Sequence, residues 1–405
     1  MPNRGYPRCG LRARAWRARQ YPRAVASSRD PLHVLVGMPF AVRLGGAERL
    51  LQTFLERADT IGVRPEVVLF EDGPWGREIA DLGVPVTVVR PGRFRHAHRN
   101  AAAALRLAAM LSRRRPDVVL GWISRAHVTL APPAIAAGLG RRLAWYQWTI
   151  PRNEAIERAA TLLPARAVLA CSYAGASAQR RMRPHRSVVV ARPGIDVPTR
   201  PTRAELDGLR TRLGIPGGRA IVGISARMVR WKGHDRLLRA VAELNDRGHD
   251  SHALIVGGTG HRLDEGLDGE LRTLAGELGL AGRATFTGHV PDALPYIALM
   301  DVAVNASEHE PFGIAVLEAM ALERAVVAID AGGPREIVED GVTGMLAPSS
   351  SPAHLADAID PLLHDGKRRA ALGRAARSQV RERFTVAGWL ADVRTGLERA
   401  ADGAG

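Results

Sequence analysis

Two glutamates, Glu310 and Glu318, stand with seven residues between them in the stretch SEHEPFGIAVLEAMALERAVVAIDAGGPR, residues 307–335. If a helix begins near Gly313, Glu318 lies roughly 8 Å further along its axis, at about 1.5 Å per residue. A helix N-terminus presents free N–H groups and a partial positive charge, which suits a phosphate. A carboxylate on either side of that phosphate can accept hydrogen bonds from sugar hydroxyls. The order hexose, diphosphate, ribose matches this spacing. The same residues also describe a capped amphipathic helix with two solvated glutamates, and the segment alone leaves both readings open.

Other residues carry related chemistry. Arg227 and Lys232 lie in ISARMVRWKGHDRLLRA, after an apolar run. An arginine fork and a lysine point charge together suit a diphosphate; a solvated loop is the alternative. The lysine stands out because the only other one is Lys367, all remaining cations being arginine. Gly45 and Gly46 follow an earlier apolar run and let backbone approach a ligand, or else form only a tight turn. His127 follows DVVLGW and either hydrogen-bonds a ligand hydroxyl or packs structurally. Trp145, Tyr146 and Trp148 offer stacking surfaces for a sugar, or core. No D-x-D triad stands at the end of an apolar run, which favours a site without metal; no cofactor is expected.

These residues need elements to hold them. Apolar runs recur at 33–37, 66–70, 84–89, 117–121, 142–146, 167–171 and 187–191, each followed by a helix-like segment. A second series runs through 220–225, 252–258, 284–288, 301–306, 325–330 and 343–347. Alternation of strand and helix implies parallel sheets covered on both faces. The expected fold is α/β, with two Rossmann-like domains facing a central cleft and ligands at the carboxyl ends of strands. Residues 31–195 form the first domain, 196–218 a linker, 219–385 the second domain and 386–405 a terminal helical segment. Residues 1–30 read as a disordered basic arm or an over-extended translation start.

Composition narrows the class. The chain has 405 residues and 46% hydrophobic content, with a mean hydropathy of −0.09. That is globular, and no run of roughly 18 apolar residues predicts a membrane span. The N-terminus lacks the apolar segment of a secretory signal. Two distant cysteines, Cys9 and Cys171, fit a reducing cytoplasm. Net charge is +16, and the eight arginines of residues 1–29 supply about half of it. The remainder suits anionic phosphates, or peripheral contact with an anionic membrane. The interleaved basic and aromatic pattern of a nucleic-acid binder is missing, so no nucleic-acid partner is expected.

Taken together the motifs resemble the retaining, GT-B-fold glycosyltransferases of family four, over roughly residues 32–400. Glu310-Pro-Phe-Gly-Ile-Ala-Val-Leu-Glu318 looks like the family's Glu-x7-Glu motif, followed by Ala319-Met320-Ala321. Gly332-Gly333 and Glu336 resemble its glycine pair and acid, and Arg227 with Lys232-Gly233 its diphosphate-binding pair. Gly45-Gly46-Ala47-Glu48 resembles the glycine loop of the first domain, and Pro193-Gly194-Ile195-Asp196 the segment before the linker.

The resemblance implies that Glu318 binds ribose and Glu310 the transferred sugar. The amides of Phe312, Gly313, Ile314 and Ala315 would face donor sugar and diphosphate, while Arg227 and Lys232 stabilise the leaving group. The terminal helix would return to the first domain. Transfer would retain configuration, from a UDP- or GDP-sugar to a carbohydrate, lipid-linked or small-molecule acceptor. Two departures stand out: Glu323 and Ala325 replace a usual Gly and Pro, and Tyr146-Gln147-Trp148 occupies the place of a common second histidine. A nucleotide-sugar 2-epimerase of similar fold and a non-catalytic nucleotide-sugar-binding protein are the alternatives.

Overall fold

The computed structural model describes residues 30–43, 45–92, 96–152, 154–259 and 264–402. The basic arm expected at the N-terminus lies outside these residues, apart from Asp30. Seven strands form the first sheet: β1 (Leu32–Met38), β2 (Val63–Leu69), β3 (Val86–Val88), β4 (Val118–Gly121), β5 (Leu143–Gln147), β6 (Ala167–Ala170) and β7 (Val188–Val190). Six form the second: β8 (Ala220–Ser225), β9 (Ser251–Val256), β10 (Ala284–Phe286), β11 (Val302–Asn305), β12 (Ala325–Ile329) and β13 (Met345–Ala347). Within each sheet every neighbouring pair is parallel. The α/β expectation of two Rossmann-like sheets is what the chain adopts.

The apolar runs become strands because both faces are covered. In β1, Val34, Val36 and Met38 enter one core and Leu35 another, the period of two that a pleated strand imposes. In β8, Ile221 joins the core shared with the first domain, while Val222 and Ile224 point into the second domain's own core.

Strand order is β3-β2-β1-β4-β5-β6-β7 in the first sheet and β10-β9-β8-β11-β12-β13 in the second. The order reverses between β1 and β4, and between β8 and β11. At such a switch point the loops leaving the two strands run to opposite faces and open a crevice. The segments after β1, β4, β8 and β11, loops and the first turns of the helices that follow, are those that carry Gly46, His127, Lys232 and Glu310.

Two crossings join the halves, and they touch. The Ile195 N–H donates to the Phe384 carbonyl at 2.9 Å. A Cβ on Gly194 would lie 2.0 Å from the Thr385 carbonyl oxygen, so glycine is needed for this close approach. Beyond it, the Val386–Ala401 helix packs on the first sheet, where the Trp389 indole donates to the Tyr146 hydroxyl at 2.7 Å. That hydroxyl donates in turn to the Ala191 carbonyl at 2.6 Å.

Residues 196–218 are not solely a connector. Arg203–Arg212 is helical, opened by a reciprocal capping box between Thr202 and Glu205. Glu323, where the resemblance leads one to expect glycine, takes a φ of 60°. This left-handed backbone is disfavoured for a residue with a Cβ. Arg200 at 2.5 Å and Arg377 at 3.7 Å hold its carboxylate.

Candidate active site

Topology brings Lys232 and Glu310 together. One follows β8 and the other β11, adjacent strands at the switch point, and the Lys232 ammonium lies 2.6 Å from Glu310 Oε2. That same oxygen accepts from Asn305 Nδ2 at 3.1 Å and from the Ser307 hydroxyl at 3.2 Å. Glu310 is 8% exposed. Burial pushes its pKa up, but the Lys232 charge and the hydrogen bonds from Lys232, Asn305 and Ser307 outweigh it and hold the carboxylate below its usual range. It is a fixed anion at neutral pH.

Glycines shape the loops around this pair. Gly233 has φ 76°, and a Cβ there would lie 2.4 Å from the Ala306 carbonyl oxygen. Lys232 is thus pressed against the loop that carries Glu310. Across that loop, the Gly333 N–H donates to the Glu310 carbonyl at 3.0 Å, and a Cβ on Gly333 would strike the Phe312 backbone at 2.1 Å. The glycine pair therefore clamps residues 310–312 from outside.

Gly313, at φ 112°, caps the Ile314–Ala321 helix. Its carbonyl accepts from Val316 and Leu317, which leaves the amides of Ile314 and Ala315 at the open helix end. Above them sits the first domain's glycine loop: a Cβ on Gly46 would be 3.2 Å from Ile314. Gly45 is the N-cap of the Gly46–Glu56 helix. The half-buried Arg227 stands two residues beyond the carboxyl end of β8.

Glu318 is buried in the Ile314–Ala321 helix. Burial raises its pKa, and Arg49 opposes the rise, its guanidinium lying 2.7 Å from Glu318 Oε1. Arg49 belongs to the Gly46–Glu56 helix of the first domain, so this ion pair spans the cleft. A second bridge runs the other way. The Glu336 carboxylate accepts from the Tyr173 and Ala174 amides at 2.9 and 2.7 Å, at the open N-terminus of the Tyr173–Met182 helix. A carboxylate at a helix start is favoured by both hydrogen bonding and dipole. Burial nevertheless raises the Glu336 pKa, with the two amides pulling against it.

The structure does not bring His127 to the cleft. Its side chain is fully buried, and its ring stacks on Trp145 at 5.4 Å and 6°. Burial, with Arg186 adding to it, lowers its pKa to about 3. It is a neutral core residue, and a cation there would be unsolvated. Trp145 is core as well, whereas Trp148 stacks on Tyr146 at 4.2 Å beneath Trp122.

Sequence reasoning missed Asn305, Ser307 and Arg49. Each adjoins a motif that it did identify, and that adjacency was the available signal. Among the described residues, one His/Asp group could hold a metal ion: His249, Asp360 and His364. It lies away from this site, since His249 precedes β9, and Arg247 already donates to Asp360 at 3.1 Å.

Comparison with known proteins identifies this arrangement. The family described as Glycosyl transferases group 1 matches residues 207–379. An alpha-D-kanosaminyltransferase of Streptomyces kanamyceticus is 36% identical over 176 residues, and the match spans 43% of each chain, less than half of that relative's length. A GDP-mannose-dependent alpha-(1-6)-phosphatidylinositol monomannoside mannosyltransferase of Mycobacterium tuberculosis is 30% identical over 406 residues, covering 91% of this chain and 99% of the relative. Anabaena HepE, crystallised with UDP-glucose, superposes with a TM-score of 0.78 at 25% identity, over 90% of this chain and 99% of HepE. No helix among the described residues is long and apolar enough to cross a membrane. With its two facing parallel sheets and its Glu-x7-Glu helix, the chain belongs to the group 1 glycosyl transferases, the GT-B glycosyltransferases of family four.

Proposed function

We propose that this glycosyltransferase moves a hexose from a UDP- or GDP-sugar to an acceptor hydroxyl, with retention of configuration and without a metal ion. The observation that carries the reading is the Lys232–Glu310 pair, its carboxylate buried and its ammonium partly so, beside the open N-terminus of the Ile314–Ala321 helix. The ammonium, the amides of Ile314 and Ala315 and the Arg227 guanidinium are the groups suited to a diphosphate. Positive charge fixed before the reaction stabilises a departing nucleoside diphosphate at no reorganisation cost. Glu310, held ionised, accepts hydrogen bonds from the donor sugar, and Glu318 from the ribose.

The acceptor hydroxyl attacks the anomeric carbon on the face from which the diphosphate leaves. The C–O bond to the acceptor forms, the bond to the diphosphate breaks, and a leaving-phosphate oxygen takes the acceptor proton. No protein nucleophile is required. Arg49–Glu318 and Glu336 with its two amides close the cleft around the donor and exclude water.

The donor choice follows the relatives, one named for its dependence on GDP-mannose and one crystallised with UDP-glucose. The acceptor belongs to polysaccharide, glycolipid or metabolite glycosylation. The test is a screen of UDP- and GDP-sugars by thermal shift, then transfer assays with and without chelator, with the product anomer read by NMR. Retained configuration and chelator-insensitive transfer are expected. Inverted product, transfer abolished by chelator, or epimerisation of the donor without acceptor would each overturn part of the reading.

A further inference from the structure

The edge of the first sheet opposite the site holds a cavity of about 750 Å³. Its wall brings together Arg141, Arg166, Arg183, Arg186 and Arg399. Arg141 precedes β5, Arg166 precedes β6, and Arg183 and Arg186 precede β7; Arg399 comes from the Val386–Ala401 helix. These are the amino ends of parallel strands, while the active-site loops leave carboxyl ends. A strand of four or five residues puts roughly 15 Å between the two edges.

Part of this wall is rigidly held. Arg183 donates to the Thr161 and Leu162 carbonyls at 2.9 and 3.1 Å. Arg186 donates through Nη2 to the Leu163 carbonyl at 2.7 Å. Arg186 is only 9% exposed, and its Nη1 has no hydrogen-bond partner among the described residues. Burial, and then the Arg183 charge, lower its pKa to about 10. Asp402 is the acid on the wall; leaving it aside, none of the five arginines forms an ion pair with an acidic side chain of the described residues. Like charges concentrated in a concavity attract a counter-anion.

We propose that this cavity is a second anion site, distinct from the donor site, for a free anion carrying two or more phosphate groups. Planar guanidinium forks match phosphate oxygens two at a time, and the volume far exceeds a single phosphate. Among the described residues the wall carries no Trp, Tyr or Phe, so these offer no platform for stacking a nucleobase. An occupant joins Arg399, near the end of the C-terminal helix, to the segments entering β5, β6 and β7. The same helix begins at the crossing between the domains, so binding there would stiffen the element that spans them.

Isothermal titration of the full chain with inorganic tripolyphosphate, with UDP or GDP saturating the donor site, tests this. We expect one equivalent bound by the native protein and by Lys232→Met alike. The triple variant Arg141→Ser/Arg166→Ser/Arg399→Ser, three exposed positions whose folding is checked by melting temperature, should bind at least about tenfold more weakly through loss of charge-assisted contacts. No binding by the native protein overturns the proposal, as does binding lost in Lys232→Met and kept in the triple variant. Phosphatidylcholine vesicles with and without phosphatidylinositol bisphosphate form the second arm. Vesicle binding that depends on the three arginines, without tripolyphosphate binding, would replace the free anion by a lipid headgroup and overturn the assignment.

Discussion

Replacing Lys232 by Met keeps most of the side-chain volume and removes the charge that holds Glu310 ionised. Removing one partner of a buried ion pair costs about 3–5 kcal/mol. Here Asn305 and Ser307 still donate to the same oxygen, and Glu310 can take up a proton, so the low end, about 3 kcal/mol, is expected at pH 8. The pH dependence fixes the sign. In the native protein the Glu310 pKa is lowered, so its contribution is present above the unfolded value and lost as pH falls through the folded one. In the variant, burial acts with much less opposition, the pKa rises, and stability falls as pH rises through it. The native-minus-variant difference should therefore be small near pH 4 and widen toward pH 8. Denaturant unfolding at several pH values, followed by a second-domain probe, measures it. Turnover should fall by about 100-fold or more, the size of a lost transition-state charge contact. A stability gap that is flat with pH, or transfer within a few-fold of native, would refute the reasoning.

Three further outcomes follow from the geometry. Glu318→Gln makes permanently neutral a group whose pKa burial has raised. The variant should melt higher than native at pH 8, with the gain gone near pH 4, while nucleotide affinity falls about tenfold through loss of hydrogen bonds to a charged acceptor. Gly46→Val places methyl groups against Ile314, where even a Cβ sits at 3.2 Å; transfer should drop steeply while titrated UDP or GDP affinity changes little, because the groups proposed to hold the nucleotide belong to the second domain. Trp389→Ala removes a buried indole that seals the terminal helix onto the first sheet, and should cost about 3–5 kcal/mol in unfolding experiments. Trp389→Phe should cost much less, since the Tyr146 hydroxyl keeps its bond to the Ala191 carbonyl.

The folding logic explains which of these features the sequence could reveal. Strands buried on both faces must be apolar over their whole length, so β8 reads directly from AIVGIS. Glycine at 233, 313 and 332 meets a positive φ, a local demand that one residue answers. The loops carrying Lys232 and Glu310 were legible for the same reason: they follow strands, and in a parallel sheet strand ends collect ligand groups. The charge and the carboxylate were therefore readable as a pair of candidates 78 residues apart. Their 2.6 Å contact was not, because it depends on β8 and β11 being neighbours.

The remaining features depend on through-space packing alone. His127 has the position of a cleft residue in sequence, one turn into a helix after a strand. In the structure it packs inward on Trp145, because side-chain direction depends on helix rotation against the sheet. Arg49 meets Glu318, and Glu336 meets a helix start 163 residues earlier, only where the two domains face each other. Trp389 finds Tyr146 across 243 residues of chain. Four separate segments collect five arginines around one cavity that no local pattern announces. Residue order determined the elements, the glycine turns and the identity of the charged groups, since those answer to neighbours within a few positions. Contacts among distant groups, and hence which carboxylate is ionised and which histidine is core, were decided by strand order and domain closure.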